Sequence, residues 1–256
     1  GILNLTPDSF YDGGKHNSLK KSILKTNEMI NDGASFIDIG GQSTRPGGNK
    51  TSIREEEKRL FPIVESLIKE FPDTIFSIDT FHHSIARRCV DIGVSIVNDI
   101  SGGYYDPEII KIAGRKKAPY VLTYNEISPF ICDKKVNFEN IVQKALFYFS
   151  SMIKKGYENG LNDIIIDPGF GFSKTMKEDY FIMKNLEFFK TLELPILVGI
   201  SRKSMIYKTL NIDVQEALNG TTVLHTVALL KGANIIRTHD VKELMECIKL
   251  IDELDC

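Results

Sequence analysis

The chain has 256 residues, 42% hydrophobic and 26% charged, with a formal net charge of -2. These figures describe a soluble chain long enough to bury a full core, and they exclude the strongly basic face that nonspecific nucleic-acid binding needs. No apolar run reaches the roughly 18 residues of a membrane span and no signal-peptide pattern opens the chain, so neither nucleic acid nor membrane is expected as a partner.

The chain opens on Gly1 and enters an apolar run at once, which reads as a sequence without its natural start. From there, short β-branched runs alternate with longer amphipathic ones. The spacing predicts strands over residues 2–5, 35–39, 74–78, 95–97, 120–123, 163–166, 196–200 and 233–237. Between them it predicts helices that include 19–31, 54–70, 84–92, 138–159, 177–191, 217–230 and 241–253. In the second of these, Leu60, Ile63, Val64 and Leu67 keep a helical period. Gly33, Gly93, Gly160 and Gly232 stand where helices should end. The strand runs are apolar almost throughout instead of alternating, as in a parallel sheet covered on both faces, although the second carries an acid, Asp38. Roughly eight βα units in about 250 residues make a single-domain (β/α)8 TIM barrel over residues 1–256 the expected fold. A doubly wound open sheet is the alternative, but the glycine-rich fingerprint usual after its first strand is missing.

Polar residues cluster at the ends of these strands. Asn4 ends the first, Thr44 and Arg45 follow the second, and Asp79 ends the third. Asn98 and Asp99 end the fourth, Asp167 the sixth, Arg202, Lys203 and Ser204 follow the seventh, and Arg237 and His239 end the eighth. In a barrel these ends share one rim. An acid at a strand end is also a good helix N-cap, so each residue alone is weak evidence. Together they offer distinct chemistry. Asp79, Asn98 and Asp167 suit a flat ligand with an N–H-rich edge, and Lys203 suits an acceptor on that ligand. Arg45, Arg237 and His239 suit an anion. Asn4 offers a neutral oxygen to a hard cation such as Mg²⁺. Ser204 at a helix start suits a carboxylate or phosphate. The Gly- and Pro-containing stretches at 6–14 and 35–48 read as lids over the mouth or, more plainly, as turns.

Other features carry less. His82-His83 are adjacent and make a poor metal pair, and His16 and His225 read as surface or packing residues. Cys89, Cys132, Cys247 and Cys256 are scattered without a C-x-x-C pair, which reads as free thiols in a reducing, cytoplasmic setting.

The segments GILNLTPDSFYDGG, DIGGQSTRPGG, SIDT, VNDISGG, IIIDPGFGFSKT, VGISRKS and IIRTHDV, in this order from end to end, resemble the dihydropteroate synthase family. The resemblance implies a TIM barrel that joins 6-hydroxymethyl-7,8-dihydropterin diphosphate to 4-aminobenzoate and releases pyrophosphate. It implies that Asp79, Asn98, Asp167 and Lys203 bind the pterin with Phe172 beside the ring, and that Thr44 meets the pterin diphosphate. It further implies that Asn4 holds Mg²⁺, that Arg237 and His239 take the diphosphate, and that Ser204 takes the aminobenzoate carboxylate between Phe10 and Pro46. Arg45 would close in with its loop. Thr44, Arg45, Asp79, Lys203, Arg237, His239 and Asn4 would form the catalytic set, and a homodimer is expected. Two departures stand out: Thr123-Tyr124 where the family often has Met-His beside the pterin, and Gln42 where many relatives have Glu. The rival readings are a non-catalytic pterin-binding module and the pterin domain of a corrinoid-dependent methyltransferase. The latter has little use for an anion site.

Overall fold

The computed structural model describes residues 1–5, 14–41, 52–125 and 139–254. Eight parallel strands run β1 Ile2–Asn4, β2 Phe36–Gly40, β3 Ile75–Asp79, β4 Ile96–Asp99, β5 Tyr120–Thr123, β6 Ile164–Asp167, β7 Leu197–Val198 and β8 Ile235–Ile236. The first six pair in sequence order and the last two pair with each other. Two seams close the ring. A single parallel bridge joins Ile166 to Ile196, and Ile2 N–H donates to the Thr238 carbonyl at 3.0 Å. The strands form a barrel, with each expected strand present and none more than a few residues long.

Helices alternate with the strands: α1 Gly14–Asn31, α2 Ile53–Glu70, α3 His83–Ile92, α4 Glu108–Lys116, α5 Ile141–Glu158, α6 Met176–Lys184, α7 Ser204–Leu210, α8 Leu218–Leu230 and α9 Val241–Asp252. Local chemistry sets their ends. Ser52 and Glu55 form a capping box at α2, as do Thr175 and Glu178 at α6. Gly93 closes α3 at φ 128°, its N–H returning to the Cys89 and Val90 carbonyls. The helix expected over 177–191 breaks in two. Asn185 turns its side-chain amide back onto the Phe181 carbonyl, and a 3-10 turn, Leu186–Leu192, follows. Helix α4 was hidden by its own Gly114, which depresses helical propensity. A Cβ there would lie 2.1 Å from the Asn159 carbonyl oxygen, so glycine permits the close approach of α4 to the end of α5.

The strands are apolar on both faces because each face has its own core. Ile37, Ile39, Phe76, Ile78, Val97, Leu122, Ile164, Ile166 and Val198 point outward into the main cluster beneath the helices. Ile96, Val121 and Leu197 point inward, joined by Phe36, Ile165 and Ile235. Period two then places the next inward residue of each strand two positions further on, toward the C-terminal rim.

Candidate active site

That step leads from the apolar inner layer to a polar one. From Ile96 the inward face climbs to Asn98, from Val121 to Thr123, from Ile165 to Asp167 and from Ile235 to Arg237. Register sets Asp79 level with both Gly40 and Asn98, Gly40 level with Asn4, and Thr123 level with Asp167. Side chains from opposite ends of the chain therefore meet inside one ring, and they fall into three groups.

The first group is ionic. Arg237 donates through Nε to Asp38 Oδ2 at 2.6 Å and through Nη2 to Asp79 Oδ2 at 2.8 Å. Asn98 Nδ2 donates to the same Asp38 oxygen at 2.9 Å. Gly199 lies alongside the arginine, where a Cβ would meet Arg237 Cβ at 3.8 Å, an ordinary contact distance. Burial pushes the Asp79 carboxyl up, against the pull of the Arg237 guanidinium, and the nearby acids Asp38, Glu56 and Asp99 add to the push. Asn4 belongs to this side. Its Oδ1 and Asp79 Oδ2 both lie within 4 Å of the place where a Gly40 Cβ would stand.

The second group surrounds Lys203 and Asp167. Lys203 Nζ donates to the Phe170 carbonyl and lies 4.4 Å from the centre of the Phe172 ring. Burial lowers its ammonium to about 8, although Asp167 opposes the shift. Burial likewise raises the Asp167 carboxyl, with Lys203 pulling the other way. Asp167 Oδ1 accepts from Gly169 N–H at 2.8 Å. Lys174 pins the same loop, donating to the carbonyls of Tyr124, Gly169 and Phe172. Gly169 is held at φ 70°, with the Tyr124 carbonyl oxygen 2.0 Å from where a Cβ would be, so no other residue fits this crossing.

The third group lies past β7 and β8. Ser201 Oγ stands 3.0 Å from His239 Nδ1 and accepts from the His239 backbone N–H at 3.1 Å. The serine thus fixes the ring and leaves Nε2 as its outer nitrogen. Arg202 clamps Asp240 with Nε and Nη2 at 2.9 and 2.8 Å, which ties the two loops together. Ser204 is the first residue of α7.

Asn4, Asp79, Asn98, Asp167, Phe172, Lys203, Ser204, Arg237 and His239 therefore occupy one end of the barrel. Phe10, Thr44, Arg45 and Pro46, like Gln42, lie outside the described residues. Capping does not explain the acids Asp79 and Asp167: α3 begins from His82 with no side-chain cap bond, and α6 is capped by Thr175. Tyr124 turns away from the mouth into an aromatic cluster with Tyr148 and Phe149, and only Thr123 faces inward. The Thr123 hydroxyl is buried and has no hydrogen-bond partner among the described residues.

Three residues escaped the sequence reading, and a fourth, Asp99, was read as a strand-end acid without a role. Lys174 and Ser201 sit within recognisable motifs but act on the backbone and on His239. Asp99 holds the loop after β4 by accepting from Ser101 N–H, Gly103 N–H and the Tyr120 hydroxyl. Asp38 was visible only as an acid in an otherwise apolar run. A cavity of about 160 Å³ lies toward the opposite end of the barrel, below the polar layer, with Asp38, Asn98 and Arg237 among its lining residues. It is mostly apolar and Asp79, Asp167, Lys203 and His239 do not line it, so the chemistry belongs to the other end.

Comparison with known proteins agrees with this geometry. The family described as "Pterin binding enzyme" matches residues 1–239. The dihydropteroate synthase of Bacillus subtilis is 40% identical over 256 residues, covering 99% of this chain and 87% of that protein. That of Escherichia coli K12 is 37% identical over 254 residues, covering 98% and 89%. Among solved structures, the dihydropteroate synthase of Clostridium difficile in the presence of pteroic acid superposes with a TM-score of 0.92 at 33% identity, covering 99% of this chain and 95% of that one. The Xanthomonas albilineans enzyme with 4-aminobenzoic acid gives 0.90 at 27% identity, covering 100% and 92%. Family, relatives and superposed barrels span nearly the whole chain, and the chain belongs to the pterin binding enzymes, among the dihydropteroate synthases, transferases of folate biosynthesis.

Proposed function

We propose that the rim residues divide the condensation of 6-hydroxymethyl-7,8-dihydropterin diphosphate with 4-aminobenzoate among themselves as follows. Asp79, Asn98 and Asp167 accept from the pterin's amino and ring N–H groups, Lys203 donates to its acceptor edge, and Phe172 lies beside the ring. Arg237 and His239 face the diphosphate, Thr44 meets the same substrate, and Ser204 takes the carboxylate of 4-aminobenzoate, bracketed by Phe10 and Pro46. Arg45 closes with its loop. The observation that supports this reading best is the convergence of Asp79, Asn98, Asp167, Lys203 and Arg237, drawn from five strands, on one buried ring.

Among the described residues, a divalent cation fits this site beside Asn4. Asn4 is the neutral oxygen donor beside Asp79, and no cluster of three His, Cys, Asp or Glu side chains suited to a metal occurs among the described residues. Such a site suits Mg²⁺ that takes most of its ligands from water and diphosphate oxygens. When bound, the ion would offset charge developing on the leaving diphosphate.

The residues handle the rest. The pterin methylene loses its C–O bond to diphosphate and gains a C–N bond to the neutral aromatic amine, whose proton then leaves from nitrogen. Bond breaking leads, because the electron-rich pterin shares the positive charge left on the methylene. Asp79 and Asp167 stabilise that charge, and His239, oriented by Ser201, meets the departing anion. A secondary deuterium isotope effect near unity at the methylene would rule this order out.

Two further parts of the reading concern context. Helix α8 is apolar around most of its circumference, and Val223 and Leu230 on it and Leu250 on α9 are exposed, which favours a homodimer through this side. Cys89 and Cys247 are free thiols, which suits a cytoplasmic protein. The deciding experiment is coupled pyrophosphate release with both substrates, with and without Mg²⁺, against a control lacking 4-aminobenzoate. Pterin binding without pyrophosphate release would leave a non-catalytic module instead.

A further inference from the structure

We infer that Asp38, outside the rim set, is the positioning residue for the pterin side of the mouth: it turns the Asn98 amide so that its carbonyl oxygen faces the ligand, and it fixes the Arg237 guanidinium beside that amide. This rests on the functional reading above for the identity of the ligand, but the geometry stands without it.

Asp38 lies one inward step deeper than Gly40, which is level with Asp79, and Asp79 is level with Asn98. Asn98 therefore reaches down to Asp38, and it does so through Nδ2. An amide carries its donor and its acceptor on opposite sides of one carbon, so a nitrogen tied downward leaves Oδ1 turned toward the rim. An acceptor in that place selects a ligand that offers N–H; the flipped amide would select the reverse. The oxygen that holds Asn98 also takes Arg237 Nε, and Arg237 Nη2 goes on to Asp79. With two of its nitrogens bound to carboxylates, the guanidinium has a fixed plane. One oxygen of Asp38 thus links residues 60 and 199 positions away in the chain.

Folding alone does not account for this acid. Asp38 is buried, yet its Oδ1 has no hydrogen-bond partner among the described residues. A half-satisfied buried carboxylate costs stability that a well-packed apolar residue of similar size would not. Its neighbours in the layer below, Val121 and Leu197, are buried and apolar, so this level of the barrel accepts apolar side chains even beside the cavity that all three residues line.

The test is a double-mutant cycle of Asp38→Asn and Asn98→Ala, read by calorimetry with the unreactive 6-hydroxymethylpterin and by pyrophosphate release with both substrates. Asp38→Asn should weaken pterin binding about ten- to a hundredfold, the range for a hydrogen bond to a charged group. It should raise the KM for pterin diphosphate and leave the KM for 4-aminobenzoate unchanged. On the Asn98→Ala background its effect on pterin binding should shrink sharply. Pterin affinity within about twofold of wild type, or losses that simply multiply in the double variant, would overturn the inference. Should Asp38→Asn not fold, hydrogen exchange of the Asn98 side-chain NH2 in the free wild-type protein decides: protection supports the tie to Asp38, and exchange as fast as that of an exposed asparagine refutes it. A wild-type protein that binds pterin but releases no pyrophosphate would sink the functional reading alone, because calorimetry still tests Asp38; one that binds no pterin sinks both.

Discussion

The two inner layers of the barrel are built by the same strands, on the same face, one inward step apart. The lower layer is Phe36, Ile96, Val121, Ile165, Leu197 and Ile235, an apolar cluster that borders the cavity below it. The upper layer includes Asp79, Asn98, Thr123, Asp167 and Arg237, and it holds buried charge, raised carboxyls and a hydroxyl with no partner among the described residues. The environment hardly differs, since residues of both layers are largely closed off from solvent. What differs is what each layer does with burial. The lower one gains stability from it, at about 1.5–3 kcal/mol for a fully buried Val, Leu or Ile. The upper one spends stability to hold polar groups dry and fixed, where each contact with a ligand is stronger than it would be in water.

Replacing Arg237 should strain that contrast most. Arg237→Met leaves Asp38 and Asp79 buried without their cation, and a loss of about 3–5 kcal/mol is expected in denaturant melts, together with loss of turnover. Adding Asp38→Asn and Asp79→Asn to that variant should recover much of the stability and none of the turnover; recovery of neither would mean that the network is not the source of the cost. In the lower layer, Leu197→Ala should cost about 2–3 kcal/mol, at the low end of the usual range because it borders an existing cavity. There kcat and both KM values should stay near wild type, and a large fall in kcat would show that the layers are not separable.

Lys203 sharpens the comparison through pH. Its ammonium titrates at about 8 in the fold and near 10.4 in the unfolded chain, so the unfolded state binds more protons between those values. The contribution of Lys203 to stability should therefore grow as pH rises through that window. Pterin affinity should move the opposite way, falling above pH 8 as the cation is lost. Calorimetric titration of pterin from pH 7 to 10 checks this, and Lys203→Ala should flatten the curve at weak affinity. Smallest of all, Thr123→Val should change free-protein stability by less than about 1 kcal/mol or raise it slightly, because it removes a buried hydroxyl that has no partner among the described residues. A clear drop in melting temperature would show that the hydroxyl is bonded after all.

Much of this was legible beforehand, and the reason is local. Glycines past helix ends, apolar runs and polar strand ends are all short-range signals, so eight strands and one crowded rim could be read from them. Asp38 was not assigned because its meaning lies in partners 60 and 199 positions away, beyond any window. The helix over Glu108–Lys116 was obscured by a glycine whose justification is a neighbouring helix end. Tyr124 looked like a pocket residue because its motif position suggested it, whereas strand parity sends it into the outer core beside Tyr148. Phe10, Thr44, Arg45 and Pro46 fall outside the described residues, so their roles still rest on motif.

The ring is stitched unevenly. Six strands form one continuous ladder, while β7 and β8 contribute two residues each and join it through one bridge on one side and the Ile2–Thr238 hydrogen bond on the other. Lys203, Arg237 and His239 hang from that thinly sewn panel, and Asp79, Asn98 and Asp167 from the firm one. Backbone amides of the panel should thus exchange with deuterium ahead of those in β2 to β5, and a ligand that bridges both parts would act as the missing stitch, slowing that exchange most where the fabric is loosest.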